Sequence, residues 1–301
     1  MNIAIAGGTG LVGTALSNLL IENGHNVSIL TRSNKASAPS ANPRYISWLN
    51  EGSQPEQELE DLDAFVNLAG ATINSRWTNK GKEKITQSRL KAVEEISRII
   101  SVLQKKPTVL VNASAIGFYG ISEEQTFTEK SLESGNDFLA ITVKTWEAST
   151  KKINDMGVRT ALCRFGVILD RNEGALAQML LPYRLFVGGT IGSGRQWLSW
   201  IHLEDAVRGV LFAIENADLN GPINFTAPEP VRMQEFGNIL ADTLSRPHWL
   251  PVPEFALLLL LGEMSILVLK GQRVIPEKLL HHGFHFIYPE LKPALNEIFK
   301  K

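Results

Sequence analysis

The stretch that decides the fold is residues 1–13, which read MNIAIAGGTGLVG. Residues 2–6 form a short apolar run typical of a buried parallel strand, and residues 11–20 repeat apolar side chains at helical spacing. Glycines stand between these two elements. A strand, a glycine turn and a helix in this order bring backbone N–H groups and a helix N-terminus to one point, where they can hold a pyrophosphate. The stretch therefore predicts a dinucleotide site.

Each glycine of this turn has its own expected role. Gly7 permits the tight turn, Gly10 lets the phosphates approach the backbone, and Gly13 lets the helix pack closely on the strand. The alternative is a glycine-rich turn without a ligand, which the flanking strand and helix disfavour. The predicted contacts in this loop are Gly7, Thr9, Gly10, Leu11, Val12 and Gly13.

The composition excludes several classes of protein. The chain has 301 residues, 44% hydrophobic and 20% charged, with a formal net charge of -1. Lys and Arg are scattered, so no electrostatic footprint for nucleic acid is present. Cys163 is the single cysteine, which fits a reducing compartment. The N-terminus enters the glycine turn at once without a basic region, so we expect a cytoplasmic protein without a signal peptide.

An apolar segment at residues 255–269 requires a test for membrane insertion. It is shorter than the roughly 18 to 20 apolar residues that a span needs, and Glu263 stands near its centre. We therefore predict no membrane span. The segment is expected to be a helix that is either buried or turned towards a partner, and a homodimer is one arrangement that fits.

The choice between NAD(H) and NADP(H) depends on the end of the second predicted strand, residues 26–31. A carboxylate at this point would bind the ribose 2′-hydroxyl and repel a 2′-phosphate. Here the position is Thr31, followed by Arg32. An uncharged side chain beside a guanidinium favours NADP(H), because the guanidinium can pair with the phosphate. The alternative is a solvated arginine at a strand end.

The remaining pattern predicts an α/β fold. Strands alternate with helices over about 170 residues, which is typical of a doubly wound parallel sheet, the Rossmann arrangement. We predict a cofactor domain at residues 1–170 and a smaller, mostly helical substrate or partner domain at residues 171–301, with 202–226 returning to the first. The expected strands after the second are 44–48, 64–68, 108–113, 159–169 and 222–226. The longest expected helical segments are 79–105, as one helix or two in tandem, and 137–156.

Several motifs together resemble a known family. The spacing Gly7-x-x-Gly10-x-x-Gly13, the Asn-Leu-Ala-Gly of residues 67–70 and the serine segment SAIGFYG of residues 114–120 are similar to those of the extended short-chain dehydrogenase/reductases, which include nucleotide-sugar epimerases and dehydratases. The pair Trp146-Glu147, RFGVILD at 164–170 and GGTIGSG at 188–194 resemble an epimerase-like branch with a small C-terminal domain of unknown function.

The resemblance implies NADP(H) binding and additional contacts. The segment that corresponds to the adenosine and ribose side of the site is Leu68, Ala69 and Gly70. Arg89 of the segment Thr-Gln-Ser-Arg-Leu is carried over as a cofactor contact. A solvated charge on a helix is the other interpretation of Arg89.

The chemistry of the family depends on groups that this chain lacks. There a tyrosine exchanges a proton while a lysine four residues later lowers its pKa, and a serine or threonine orients the substrate. The corresponding helix here reads FLAITVKTWE from residue 138 and has no tyrosine. Ser114 and Tyr119 of the serine segment are the remaining catalytic candidates, although packing of Tyr119 as a buried aromatic is the other interpretation.

Histidines and acids elsewhere offer weaker candidates. His202 and Asp205 could form an acid/base pair, but the start of a helix is the favoured interpretation. His281, His282 and His285 have no nearby cysteine or acid, so no metal site is predicted.

Two function hypotheses follow. The first is an NADP(H)-dependent oxidoreductase or epimerase acting on a small hydroxyl- or carbonyl-bearing substrate, such as a nucleotide sugar. The second is a module that senses NADPH or binds a partner protein without turnover, which the missing tyrosine and lysine favour.

Overall fold

The protein is described by a computed structural model that covers residues 1–33 and 41–300. Residues 34–40 and residue 301 lie outside the described residues. Within the described ranges the strands are β1 (Asn2–Ala6), β2 (Asn26–Thr31), β3 (Arg44–Ser47), β4 (Ala64–Asn67), β5 (Val109–Ala115), β6 (Thr126–Phe127), β7 (Arg159–Phe165), β8 (Val167–Leu169), β9 (Trp197–Leu198), β10 (Trp200–His202), β11 (Gly221–Phe225), β12 (Val231–Arg232) and β13 (Arg273–Val274).

Helices separate most of these strands. Short 3-10 turns lie at Pro55–Glu58, Ile116–Tyr119 and Gly262–Ser265. The α-helices of the described residues are α1 (Leu11–Glu22), α2 (Asn79–Val102), α3 (Phe138–Ser149), α4 (Lys151–Asp155), α5 (Gly174–Arg184), α6 (Leu203–Glu215), α7 (Met233–Leu244), α8 (Glu254–Leu261), α9 (Ile266–Leu269), α10 (Glu277–His281) and α11 (Leu291–Phe299).

The main sheet has seven strands in the order β11-β7-β5-β4-β1-β2-β3, and each neighbouring pair is parallel. The chain builds outward from β1 to β3 and then returns to the other side of β1 to add β4. The order of strands therefore reverses between β1 and β4. In open parallel sheets a ligand crevice forms at such a point, outside the carboxyl ends of the strands. The predicted doubly wound α/β fold is confirmed.

Alternating side chains of the strands build a core on each face of this sheet. Ile3 and Ile5 of β1 pack with Leu16 and Leu20 of α1 and with Val210 of α6. The intervening positions of β1 face the opposite side, where α2, α3 and α4 cover the sheet. Both faces are thus covered by helices, as a parallel sheet requires.

The second half of the chain has its own apolar cluster, in which side chains of α5, α7 and α11 surround the buried Trp200. Residues 203–225 nevertheless contact the main sheet, because α6 packs on α1 and β11 pairs with β7. The division into domains at 1–170 and 171–301 stays a prediction.

Two predicted elements are interrupted by glycines. The strand expected at 159–169 ends at Phe165 and resumes as β8, which pairs with β10 outside the main sheet. At Gly166 a Cβ atom would lie 2.5 Å from the Ser199 carbonyl oxygen, so the backbones approach too closely for any side chain. The apolar segment 255–269 breaks at Gly262, whose φ is +57°.

The first part of that apolar segment, α8, has no buried residue, so of the two interpretations of this part the partner-facing one stays open. Among the described residues, no helix combines the length and the apolar character needed to cross a bilayer.

Candidate functional site

The glycine loop joins β1 to α1 in a conformation that demands glycine at two positions. Gly7 has a φ of +81°, and a Cβ atom there would lie 2.7 Å from the carbonyl group of Leu68. A Cβ atom on Gly13 would lie 2.6 Å from Cα of Gly8. These two glycines therefore permit the close contact of the loop with α1 and with the segment after β4.

Gly10 differs from these two glycines because the space beside it is open. A Cβ atom there would meet only the carbonyl oxygen of Gly7, at 3.6 Å. Gly10 is the N-cap of α1 and has no side chain to accept from the first-turn N–H groups, while Thr9 and Gly10 are exposed. The N–H groups of Leu11 and Val12 thus stand at the positive end of a helix with no capping oxygen. A dinucleotide pyrophosphate fits this arrangement.

The end of β2 lies next to this loop, because β1 and β2 pair in parallel. Thr31 is buried, and its hydroxyl lies 2.8 Å from that of Ser33. The Arg32 side chain is exposed, and none of the described carboxylates forms an ion pair with it. A guanidinium without such a partner can pair with a phosphate at this edge of the sheet.

The segment after β4 forms the other wall of the crevice. The backbone N–H of Leu68 donates to Ala6 at 2.8 Å, and that of Ala69 donates to Asn67 Oδ1 at 3.1 Å. Leu68 contacts the loop where a Gly7 side chain would stand, as described above. Gly70 is exposed at the rim. The structure therefore brings Leu68, Ala69 and Gly70 against the glycine loop.

Arg89 of α2 reaches the same place. Its guanidinium carbon would lie 3.1 Å from a Cβ atom on Gly70. One nitrogen, Nη1, donates to Ala71 O at 3.1 Å and to Ile85 O at 2.8 Å, and the guanidinium lies 5.1 Å from the Trp146 ring centroid. Burial lowers the pKa of Arg89. Because both hydrogen-bond acceptors of Arg89 are neutral carbonyl oxygens, its positive charge stays available to an anionic or hydroxyl-bearing ligand.

The two catalytic candidates lie at the end of β5, the strand beside β4: Ser114 is the penultimate residue of the strand, and Tyr119 is in the 3-10 turn that follows. Ser114 is buried, and its hydroxyl donates to Glu147 Oε1 at 2.6 Å. Tyr119 is also buried, and its phenol donates to Asn224 Oδ1 at 2.8 Å while its ring stacks on Phe127 at 5.1 Å. Both hydroxyl protons are thus committed to protein acceptors. The catalytic role of these two residues stays a prediction.

A buried ion pair lies behind these hydroxyls. Arg164 stands opposite Ser114 in the parallel register of β5 and β7. Its Nε and Nη2 donate to the two carboxylate oxygens of Glu147, each at 2.8 Å. The guanidinium also stacks on the Phe118 and Tyr119 rings, with centroid distances of 3.6 and 4.9 Å. Its Nη1 is buried and has no hydrogen-bond partner in the part of the chain that the structure describes.

Burial raises the pKa of the Tyr119 phenol, and the nearby Arg164 cation opposes part of that rise. The phenol is therefore a weaker proton donor here than a phenol activated by a lysine would be.

The sequence motifs do not predict this network of hydrogen bonds. Glu147 and Arg164 were noted only as parts of family-like motifs, and Asn224 was not singled out. A signal existed: Arg164 interrupts the apolar strand RTALCRF, and a charge in a buried strand requires a partner.

His202 and Asp205 have structural contacts. His202 caps α6, because its Nδ1 accepts from the Glu204 N–H at 3.1 Å. Asp205 is fully buried and accepts from the N–H groups of Ile287 and Tyr288, each at 2.8 Å. These contacts agree with the helix-start interpretation. Among the described residues, no group of three or more His, Cys, Asp or Glu side chains is arranged to hold a metal ion.

A depression of about 470 Å³ at the opposite edge of the sheet is not part of this site. It is lined by Asn2 and Asn26, which begin β1 and β2. Ligands of open α/β sheets bind at the carboxyl ends of the strands instead.

Comparison with known proteins agrees with this architecture. Residues 3–140 match the NAD dependent epimerase/dehydratase family, and residues 252–298 match a domain of unknown function, DUF1731. The epimerase family protein YfhF of Bacillus subtilis is 50% identical over 298 residues, which are 99% of this chain and 98% of that protein.

Two solved structures are similar over nearly the whole chain. The human epimerase family protein SDR39U1 (isoform 2), solved with NADPH, is 32% identical, has a TM-score of 0.88 and is matched over 99% of both chains. A nucleoside-diphosphate sugar epimerase from Corynebacterium glutamicum is also 32% identical, with a TM-score of 0.79. The match to the latter covers 99% of this chain and 58% of that one. The chain thus belongs to the epimerase family and has its NAD(P)-binding fold, with a DUF1731 domain at the C-terminal end.

Proposed function

We propose that this protein binds NADP(H) and uses it as an oxidoreductase or epimerase on a small hydroxyl- or carbonyl-bearing substrate. The observation that carries the proposal is the uncapped N-terminus of α1 beside an exposed arginine at the end of β2. The first feature suits a pyrophosphate and the second suits a 2′-phosphate. The NADPH in the structure of the human relative supports the same choice of cofactor.

Different residues of the crevice would bind different parts of the cofactor. Backbone N–H groups of Leu11 and Val12 would hold the pyrophosphate, and Arg32 would hold the 2′-phosphate. Residues 68–70 would lie along the adenosine ribose, with Arg89 behind them. When bound, the nicotinamide supplies hydride exchange, for which the protein contributes mainly position.

The substrate side of the site lacks the tyrosine that the resemblance predicts in α3. Ser114 and Tyr119 are the candidate catalytic residues, and each hydroxyl already donates a hydrogen bond to the protein. The Ser114 proton is held by Glu147, so its oxygen lone pairs are what a substrate hydroxyl could meet. Tyr119 would have to leave Asn224 before it could exchange a proton.

Titration of the purified protein with NADPH and NADH, followed by fluorescence, tests the cofactor. Wild type should bind NADPH more tightly. Arg32→Ala should weaken NADPH binding by about 10- to 100-fold, the range for a lost charge-assisted hydrogen bond, and leave NADH binding nearly unchanged. Arg184→Ala is the matched control, because this arginine is exposed on α5. Equal affinities, or tighter NADH binding by wild type, would defeat the NADP(H) assignment.

A second candidate function is an NADPH sensor or protein-interaction module without turnover. The specific observation in its favour is that both candidate hydroxyls are buried and bonded to protein, while α3 lacks a tyrosine. NADPH oxidation over a panel of carbonyls and nucleotide sugars separates the two functions. Tight NADPH binding without oxidation of any panel member supports the sensor. Robust turnover that survives both Ser114→Ala and Tyr119→Phe would remove these residues from the catalytic proposal.

A further inference from the structure

A cavity of about 460 Å³ lies between the first turns of α2 and α3 on one side and α8 and α9 on the other. It is bounded by segments that follow the carboxyl ends of two strands: Trp77 after β4, and Ile121 and Phe138 after β5. Helices α8 and α9 close the other side. Open α/β sheets bind ligands at this edge, and small-molecule sites commonly measure about 300–1,000 Å³.

The segment that closes the cavity is attached to the end of β5. Gln272 Nε2 donates to the carbonyl oxygen of Ile116 at 2.9 Å, and the N–H of Ser122 donates to Gly271 O at 3.1 Å. The 3-10 turn after β5, where Tyr119 lies, is thus directly joined to the C-terminal segment that forms the wall.

The walls of the cavity are mainly apolar. Trp77 and Phe138 pack edge to face with their ring centroids 5.2 Å apart, and the indole N–H of Trp77 is already donated to Ile73 O at 3.0 Å. The aromatic pair therefore presents hydrocarbon surface, and the Lys82 ammonium group lies 5.3 Å from the Phe138 ring centroid. The apolar lining residues are Trp77, Ile121, Phe138, Leu258, Ile266 and Leu269.

Four of the five charged lining residues form two ion pairs. Lys82 forms an ion pair with Glu263, and Lys270 lies 3.9 Å from Glu254. Asp137 accepts from two backbone N–H groups at the start of α3, at 2.8 and 3.1 Å.

Two ammonium groups thus face three carboxylates, a formal net charge of −1. A diphosphate is recognised by excess cations and free N–H donors, and the lining of this cavity has no excess of cations.

The apolar surface continues from the cavity onto α8. Leu258 lines the cavity and is 50% exposed, whereas its neighbour Leu259 does not line it and is 88% exposed. Exposed apolar surface that borders a cavity is typical of ligand grooves.

From these observations we propose that the cavity binds an uncharged, largely hydrocarbon ketone or secondary alcohol rather than a nucleotide sugar. The proposal names the substrate class for the oxidoreductase described above, and it rests on that proposed function. The hydrocarbon part would occupy the Trp77 and Phe138 side of the cavity, and the oxygen-bearing carbon would face the end of β5.

Displacement of the uncharged fluorescent probe N-phenyl-1-naphthylamine by linear 2-alkanones, from four to twelve carbons, measures the binding. Affinity should rise about fourfold per methylene until the cavity is filled, the increment expected for transfer of one methylene from water. UDP-glucose at the same concentrations should not displace the probe. A flat series, or displacement by UDP-glucose, would overturn the proposal.

A pair of adjacent variants locates the binding. Leu258→Glu should lower alkanone affinity at least tenfold, because it places a carboxylate in the apolar wall. Leu259→Glu should leave alkanone affinity as in wild type, since it makes the same change outside the cavity. Equal effects of the two variants would mean binding at the outer surface of α8 and would defeat the proposal.

An NADPH titration of each sample keeps the two proposals separate. Retained NADPH affinity in Leu258→Glu shows that the cofactor site is intact and that any loss of alkanone binding belongs to the cavity. Wild type that fails to bind NADPH would refute the proposed function, while the alkanone series still decides what the cavity accepts.

Discussion

The Glu147→Ala substitution removes the carboxylate that holds both Arg164 and Ser114. In the folded protein the side chains of Arg164 and Glu147 are 3% and 8% exposed, and three hydrogen bonds converge on the carboxylate. After the substitution the guanidinium would stay buried between two strands and two aromatic rings without a counter-charge. The Ser114 hydroxyl would lose its acceptor as well.

The expected loss of unfolding free energy is about 3–5 kcal/mol, the range for breaking a buried ion pair by removing one partner. The orphaned Ser114 hydroxyl adds about 1 kcal/mol. Because domains are typically stable by only about 5–15 kcal/mol, the variant should be severely destabilised. The cost comes mainly from the stranded charge, and the net attraction of the pair contributes less.

Urea denaturation followed by circular dichroism measures the loss, and the chain offers a matched control. Arg98 forms a similar two-point pair with Glu56, at 3.0 and 2.7 Å, but its side chain is 42% exposed. Glu56→Ala should therefore cost no more than about 1 kcal/mol. Similar losses in Glu147→Ala and Glu56→Ala would refute the reasoning from burial.

The double variant Glu147→Leu, Arg164→Met gives a second check. Replacing both charges with apolar side chains should cost much less than Glu147→Ala alone, because no buried charge remains unpaired. Losses that simply add in the double variant would show that the two side chains act independently.

Two further predictions concern a buried acid and the glycine loop. Burial raises the pKa of Glu129 above its usual 4.5, so the folded state favours the neutral acid and stability is lost as pH rises through the folded pKa. Glu129→Gln should therefore become progressively more stable relative to wild type in urea titrations from pH 4.5 to 8, and a difference that stays constant over this range would contradict the prediction. Gly10→Ala should keep near-wild-type stability but lose at least tenfold in NADPH affinity, because its methyl group fits the fold and fills the space proposed for the phosphates. Gly13→Ala should lose both stability and NADPH affinity in the same assays. Equal stability of the two alanine variants would contradict this prediction.

The predicted elements of the cofactor half match the structure closely because their signals are local. β1, α1, β2 and β4 lie where apolar runs and glycines predict them, and the segment expected as one long helix or two in tandem contains the single helix α2. Parallel alternation of these elements leaves few possible topologies, so the crevice at the carboxyl ends follows from the pattern.

Elements whose limits depend on distant contacts were predicted less well. The strand at 159–169 divides at Gly166 because Ser199 approaches it from another part of the chain. The sequence leaves the apolar segment 255–269 open to two interpretations, a buried helix or a partner-facing one. An apolar pattern predicts a surface that is covered, but it does not show whether the same chain or a partner covers it. Only the packed structure leaves α8 exposed and places Leu258 in a cavity wall.

By itself, the sequence determined that this chain builds a glycine loop between a buried strand and a helix, with an arginine in place of an acid at the end of the next strand. These features depend on neighbouring residues and on the covalent order of the chain. The tertiary structure alone decided that Ser114 and Tyr119 are bonded to Glu147 and Asn224, and that Arg164 is the cation beside them. The availability of a hydroxyl depends on the atoms within about 3 Å of it, and here those atoms come from residues 33 and 105 positions away in the chain.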